Sequence, residues 1–203
     1  MPTPEESLAP SAAEPLIFQI GVEGVLHAFR ARFTAPLEDK LRALGLDPDA
    51  LQPGYPLHVW EGAVRLIAAA LWPDLPAEEA WQTMGREFLD GYFKTVVGKA
   101  ALVMGKVIGP KRLMERMGRN FRIAGNYLDV ETTTTGVAEV ELRTRIVAAF
   151  LPQLAGRQTV MTRYRAGVLV RALEVTGAQD VNVEVLSWDP QRQEAHYRAR
   201  WKA

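Results

Sequence analysis

Apolar residues in this chain recur every three to four positions up to about residue 125, and largely every second position after it. This switch of period constrains the fold most. A helix buries a stripe of period 3.6, whereas a half-buried strand buries alternate residues. It predicts an α+β protein, with an N-terminal helical bundle packed on a C-terminal β-β-α-β-β antiparallel sheet.

Within the helical part, residues 16–125, the stretch 16–20 is strand-like and Gly21 interrupts it. Val22, Val25, Leu26, Phe29 and Phe33 then form one helix face. Leu37, Leu41 and Leu44 form another, with Thr34 as candidate N-cap and Gly45 as the stop. A third helix is expected over 57–72. A fourth starts at Pro76, where Glu78 and Glu79 suit the helix dipole. Residues 91–108 are apolar nearly all round, which predicts a central buried helix. Gly91, Gly98 and Gly105 share one stripe of it, suited to close helix packing or to the floor of a ligand site. Pro110 opens a basic helix running to about Arg122.

In the sheet part, residues 126–203, strands over 128–133 and 137–145 flank Thr134-Thr135-Gly136, a hairpin signal. Thr162 is a candidate cap for a helix over 163–176, with Gly177 beyond its end. Two more strands, at 181–185 and 195–201, flank the turn Asp189-Pro190. One sheet face carries Glu139, Glu141, Arg143, Glu184, His196, Arg198 and Arg200. Opposite charges there are expected to pair across strands, at about 0.2–1 kcal/mol each. Residues 1–15, with four prolines and three glutamates, read as a disordered tail ahead of a single domain over 16–203.

Several chemistries are excluded. There is no cysteine, hence no disulfide, thiolate nucleophile or Cys-ligated metal. Nucleophile-elbow, phosphate-loop, dinucleotide and His-Glu-x-x-His patterns are all missing, so a non-catalytic role is expected. His27, His58 and His196 show no metal-ligand spacing. No run of 18 apolar residues exists, so a cytoplasmic location without membrane insertion is expected. Basic and acidic residues balance at 24 each, which rules out a global polyelectrolyte. The balance is uneven along the chain. Residues 1–100 carry 8 basic and 14 acidic groups, and residues 101–203 carry 16 and 10, so a local anion site is allowed.

The basic helix supplies the candidates for such a site. Arg112, Arg116 and Arg119 follow i, i+4, i+7 and would share one face, an interaction surface for an acidic protein partner or a second copy of the chain. Arg119, Arg122, Asn126 and Tyr127 cluster where helix passes into strand, a common place for binding residues. Only Phe121 and Tyr127 interleave these charges with aromatic rings, which argues against nucleic acid as a partner.

The segments Val22-Glu-Gly-Val, Tyr55-Pro to Trp60, Phe88-Leu-Asp-Gly-Tyr92, Gly109-Pro-Lys-Arg, Arg119-Asn-Phe-Arg122 to Tyr127, and Ala166-Gly-Val-Leu to Gly177-Ala occur in this order. Together they resemble the myxobacterial paralogous family of uncharacterised proteins, over about residues 16–201. That family implies no assigned activity. The order of elements also resembles the 4-vinyl reductase and haem nitric-oxide-binding (H-NOX) group. This likeness implies a small-molecule sensor domain, with the ligand between helices and sheet. Haem-binding members of the group use a proximal His on the helix before the sheet and a Tyr-x-Ser-x-Arg motif. This chain has no His between 59 and 195 and no such motif, so no cofactor is expected, neither haem nor zinc.

These readings converge on a non-catalytic small-molecule-binding or sensory, regulatory module. Its apolar pocket is expected between the helix over 91–108 and the sheet. Tyr92, Val96 and Met104 would line the pocket, and Arg119, Arg122, Asn126 and Tyr127 would orient the ligand. The alternative is a protein-interaction adaptor that uses the arginine face, as a homodimer or on an acidic partner.

Overall fold

The fold is given by a computed structural model that describes residues 14–202. Almost all of the segment read as a tail lies outside the described residues. Strand β1 (Leu16–Phe18), within the stretch expected to be strand-like, pairs antiparallel with β2 (Gly54–Pro56), which is too short to show a period-2 pattern. Between them lie α1 (Gln19–Phe29) and α2 (Ala35–Leu44). Helix α2 ends at Gly45 with φ 100°. The Gly45 N–H donates to the Arg42 carbonyl and the Leu46 N–H to that of Leu41, as in a left-handed helix cap. Then come α3 (Leu57–Leu71), α4 (Ala77–Tyr92), α5 (Val96–Glu115), which breaks at Gly109 (φ 76°) so that a new helical segment opens at Pro110 as expected, and α6 (Met117–Ala124).

The C-terminal part has β3 (Leu128–Thr134), β4 (Glu139–Ile146), the short α7 (Leu151–Leu154), α8 (Met161–Val175), β5 (Gln179–Asp189) and β6 (Glu194–Lys202). The four long strands form one antiparallel sheet in the order β3-β4-β6-β5. The expected α+β architecture is therefore present. One sheet face buries Val140, Leu142, Ala195, Tyr197 and Ala199. On the other face Arg198 pairs with Glu141 at 2.9 Å, His196 with Glu141 at 3.1 Å and Arg200 with Glu139, as the alternation predicts.

The buried helix at the centre is α8, not the apolar segment over 91–108. Helix α8 packs on α4 on one side and on β5 and β6 on the other. Its buried residues include Tyr164, Arg165, Gly167, Leu169 and Leu173. Segment 91–108 divides instead. Tyr92 closes α4, and Thr95 caps a new helix by accepting the Gly98 N–H at 3.0 Å. Helix α5 buries little besides Gly98, Gly105 and Met114, and leaves Val103 and Val107 in solvent. Apolar residues all round a helix thus do not report a central position here. The cap of α8 also differs, because Val160 takes that place and Thr162 lies inside the helix.

Helices α4 and α8 meet backbone to backbone. A Cβ built on Gly167 would stand 1.9 Å from the Gln82 carbonyl oxygen, and one on Gly85 would stand 1.9 Å from that of Tyr164. Gly91 makes the same kind of contact with the Gly24 carbonyl, at 2.1 Å, and joins α4 to α1. Close helix packing thus explains Gly91. Helix propensity alone would make Gly167→Ala stabilising by about 1 kcal/mol. Overpacking against a carbonyl reverses the sign, so we expect Gly167→Ala to lose about 1–3 kcal/mol or more in chemical denaturation. Gly136→Ala in the β3–β4 turn, whose Cβ would meet nothing closer than 3.5 Å, is expected to change stability little.

Candidate functional site

A cavity of about 130 Å³ lies among α4, α5, α6 and α8. It exists because α5 rests on its neighbours through glycine. Gly98 sits against the Tyr92 carbonyl, where a Cβ would come within 1.8 Å, and Gly105 sits against Thr176. From α4 come Phe88, Leu89 and Tyr92, from α6 Phe121 and Ile123, and from α8 Val168, Ala172 and Val175. Asn120, Thr176 and Tyr92 bring the lining's polar groups. The cavity is bounded by helices alone, so the pocket lies between helices rather than against the sheet. The reason is the inward place of α8, which packs on β5 and β6 beneath the cavity.

A second cavity, of about 50 Å³, shares Phe88, Phe121, Ala124 and Val168 with the first. Its remaining wall includes Trp60, Tyr127, Tyr164 and Arg165. Arg165 is only 5% exposed, Tyr164 4% and Trp60 1%. Yet the Arg165 Nε, the Tyr164 hydroxyl and the Trp60 Nε1 have no hydrogen-bond partner. No carboxylate among the described residues lies within 4 Å of the Arg165 guanidinium. Burial lowers the Arg165 pKa, but the adjacent phenol oxygens of Tyr127 and Tyr197 outweigh it, and the net direction is upward. The guanidinium therefore stays charged. Burial holds the Tyr164 hydroxyl well above its usual range, so it stays protonated. Trp60 packs edge-on against Tyr164, with centroids 6.0 Å apart, which fixes both rings.

The residues singled out in the sequence are scattered over this region. Tyr92 is on the wall of the larger cavity and Tyr127 on that of the smaller one. Val96 is 86% exposed and Met104 54%, both away from the cavity. Asn126 ties down β1: its Oδ1 accepts the Leu16 N–H at 2.8 Å, and its Nδ2 donates to the Glu14 carbonyl at 3.0 Å. Arg122 pairs with Asp129 at 3.2 Å on the surface. Arg112, Arg116 and Arg119 are exposed, but they share no single helix. Arg116 sits between α5 and α6 with φ −97° and ψ 0°, so the three-residue stripe is divided. Arg165 was not among the candidates. Its signal is a charge at i on the same stripe as Leu169 (i+4) and Ala172 (i+7), an apolar core pattern.

The fold has solved counterparts. It matches an H-NOX structure bearing on the mechanism of H-NOX activation with TM-score 0.63 and 15% identity, over 92% of this chain and 97% of that one. An oxygen-binding H-NOX domain related to soluble guanylate cyclases, in its oxygen complex, matches with TM-score 0.62 and 14% identity, over 92% and 96%. A mutant of the unliganded Fe(II) H-NOX protein from K. algicida matches with TM-score 0.60 and 11% identity, over 92% and 97%. The architecture is thus that of an H-NOX-like domain. In sequence, residues 16–202 match the family described as Protein of unknown function (DUF2378), and the chain belongs to that family. No curated protein matches the chain. Among the described residues no helix is long and apolar enough to cross a membrane, and no group of three His, Asp or Glu side chains could hold a metal ion.

Close to the smaller cavity, Glu61 on α3 accepts a hydrogen bond from the Thr159 hydroxyl. Burial nevertheless pushes its pKa up, with Arg65 and Arg165 acting in the opposite sense. A raised folded-state pKa means that its ionisation opposes folding: the penalty is absent below the ordinary carboxylate pKa and grows as pH rises through the folded value. Glu61→Gln is therefore expected to raise the melting temperature at pH 7, by roughly 2–4 °C for each kcal/mol relieved. The gain should vanish by about pH 4, which thermal denaturation across pH will check.

Proposed function

We propose that the chain is a ligand-binding sensory module that holds a small apolar molecule between α5 and α8, without haem. The carrying observation is the apolar cavity of about 130 Å³ beneath a helix held by glycine contacts. An engineered apolar cavity of about 150 Å³ binds benzene, so a guest of that size suits the space.

The fold neighbours include an oxygen-binding domain and a protein studied for heme distortion. The lining of this cavity does not fit a haem. It contains neither His nor Cys, and His27 and His58 are exposed elsewhere. Tyr92 could reach an iron only as a phenolate, and burial pushes its pKa up, away from that form. The volume is also well below the roughly 300–1,000 Å³ of sites for drug-sized ligands.

Benzene at ten times its Kd is expected to stabilise the wild-type protein by about 1.4 kcal/mol in thermal denaturation. Ala101→Leu, which fills the cavity from α5, should abolish that gain without loss of apo stability. Absence of any benzene effect on the wild type would refute the reading.

A second reading, a docking surface for an acidic partner or a second copy, rests on Arg112, Arg116 and Arg119. All three are exposed and, among the described residues, none has a carboxylate within 4 Å. It predicts self-association in sedimentation velocity that weakens between low and high salt and is lost in Arg112→Glu/Arg116→Glu. A salt-independent monomer would refute the second-copy form.

A further inference from the structure

Three residues that border the smaller cavity carry a buried polar atom without a hydrogen-bond partner: Arg165 Nε, Trp60 Nε1 and the Tyr164 hydroxyl. A guanidinium and an indole N–H only donate hydrogen bonds, and a phenol donates or accepts. Arg165, Trp60 and Tyr164 all border the same space of about 50 Å³. One water needs about 10–15 Å³ of such volume, so a group the size of a carboxylate has room. Water would satisfy some donors, but it would leave the buried positive charge uncompensated. The nearby groups compensate it only in part: Tyr127 and Tyr197 approach it as neutral phenols, and Glu61 acts on it at a distance, with no ion pair within 4 Å. An incompletely neutralised charge at 5% exposure is expensive to keep unless a guest pairs with it.

The two cavities share the wall formed by Phe88, Phe121, Ala124 and Val168. The larger apolar space thus adjoins a smaller one bordered by a single buried cation, Arg165. We infer that the ligand is a small apolar carboxylic acid, whose anion lies on Arg165, Tyr164 and Trp60 and whose hydrocarbon part occupies the larger cavity. This rests on the reading of the larger cavity as a ligand site, and adds the chemical class of the guest. To span both spaces the guest must pass the wall to which Phe88 and Phe121 contribute. Arg165 is then held at the expense of apo stability, as binding sites commonly are.

The test is calorimetric titration of the full chain at pH 7.5 with hexanoate, 1-hexanol and acetate, beside the melting temperature of Arg165→Met. Wild-type protein is expected to bind hexanoate more than about tenfold tighter than 1-hexanol, the scale of a charge-assisted hydrogen bond. Acetate, which lacks the apolar part, should bind far more weakly. Arg165→Met should melt at or above the wild-type temperature, keep its affinity for 1-hexanol and lose the preference for hexanoate. A purely structural arginine would instead lower the melting temperature when replaced. The inference is overturned if hexanoate binds no better than 1-hexanol, if acetate binds as tightly as hexanoate, or if Arg165→Met melts lower and retains the preference. Should Arg165→Met fail to fold, the three wild-type titrations decide alone. Benzene binding without hexanoate binding would sink the carboxylate while leaving the cavity reading intact; binding of neither would sink both.

Discussion

Two glycines, Gly85 and Gly167, let α4 and α8 touch through their backbones, and the rest of the structure follows from that crossing. Without side chains at the contact, α8 sinks between the helical layer and the sheet. It presents Tyr164 to Trp60 and Phe88 on one side, and its Thr162 carbonyl to the Tyr197 hydroxyl on the other, at 3.2 Å. The same burial carries Arg165 into the interior. Helix α4 ends where its contact with α1 ends, at Gly91 and Tyr92, and the chain must then turn and restart at Thr95. Helix α5 therefore rests on the end of α4 at Gly98 and beside Thr176, just past α8, at Gly105, and leaves the apolar cavity between them.

The polar groups in this region are arranged unequally. On the outer sheet face most charges have a cross-strand partner in solvent, where such pairs are worth little. At the centre, the Nε of a charged guanidinium, an indole N–H and a phenol hydroxyl stand without partners, where each unsatisfied group costs about 1–3 kcal/mol. A core selected for stability alone would carry an apolar residue at position 165, in line with Leu169 and Ala172. A site built to receive an acid explains the contrast. On the proposed reading, an H-NOX-like fold would hold an organic anion in a lining that has neither His nor Cys.

Much of the fold was legible in the sequence, because helix and sheet periods differ and because glycines mark helix ends. Gly45 and Gly177 both take positive φ at the predicted ends, and the two hairpins fall where the turn residues place them. The position of α5 was not legible. Its valines and alanines suggest burial, but burial depends on which layers cover a helix, and only tertiary packing decides that. The arginine stripe failed for a local reason, the break at Arg116, which no proline or glycine at that position announces. Tyr92 and Tyr127 were read as site residues and line the cavities, whereas Arg165 was hidden in a helix whose other arginines, Arg163 and Arg171, make surface ion pairs. Its clue was phase along the helix, not composition.

The most direct measurement is a crystal structure of the protein grown with 6-bromohexanoate. A buried cationic end beside an apolar cavity predicts a bromine anomalous peak between α5 and α8. It also predicts carboxylate oxygens at about 2.7–3.2 Å from the Arg165 guanidinium. A bromine peak only at the surface, with water or no density beside Arg165, would contradict it.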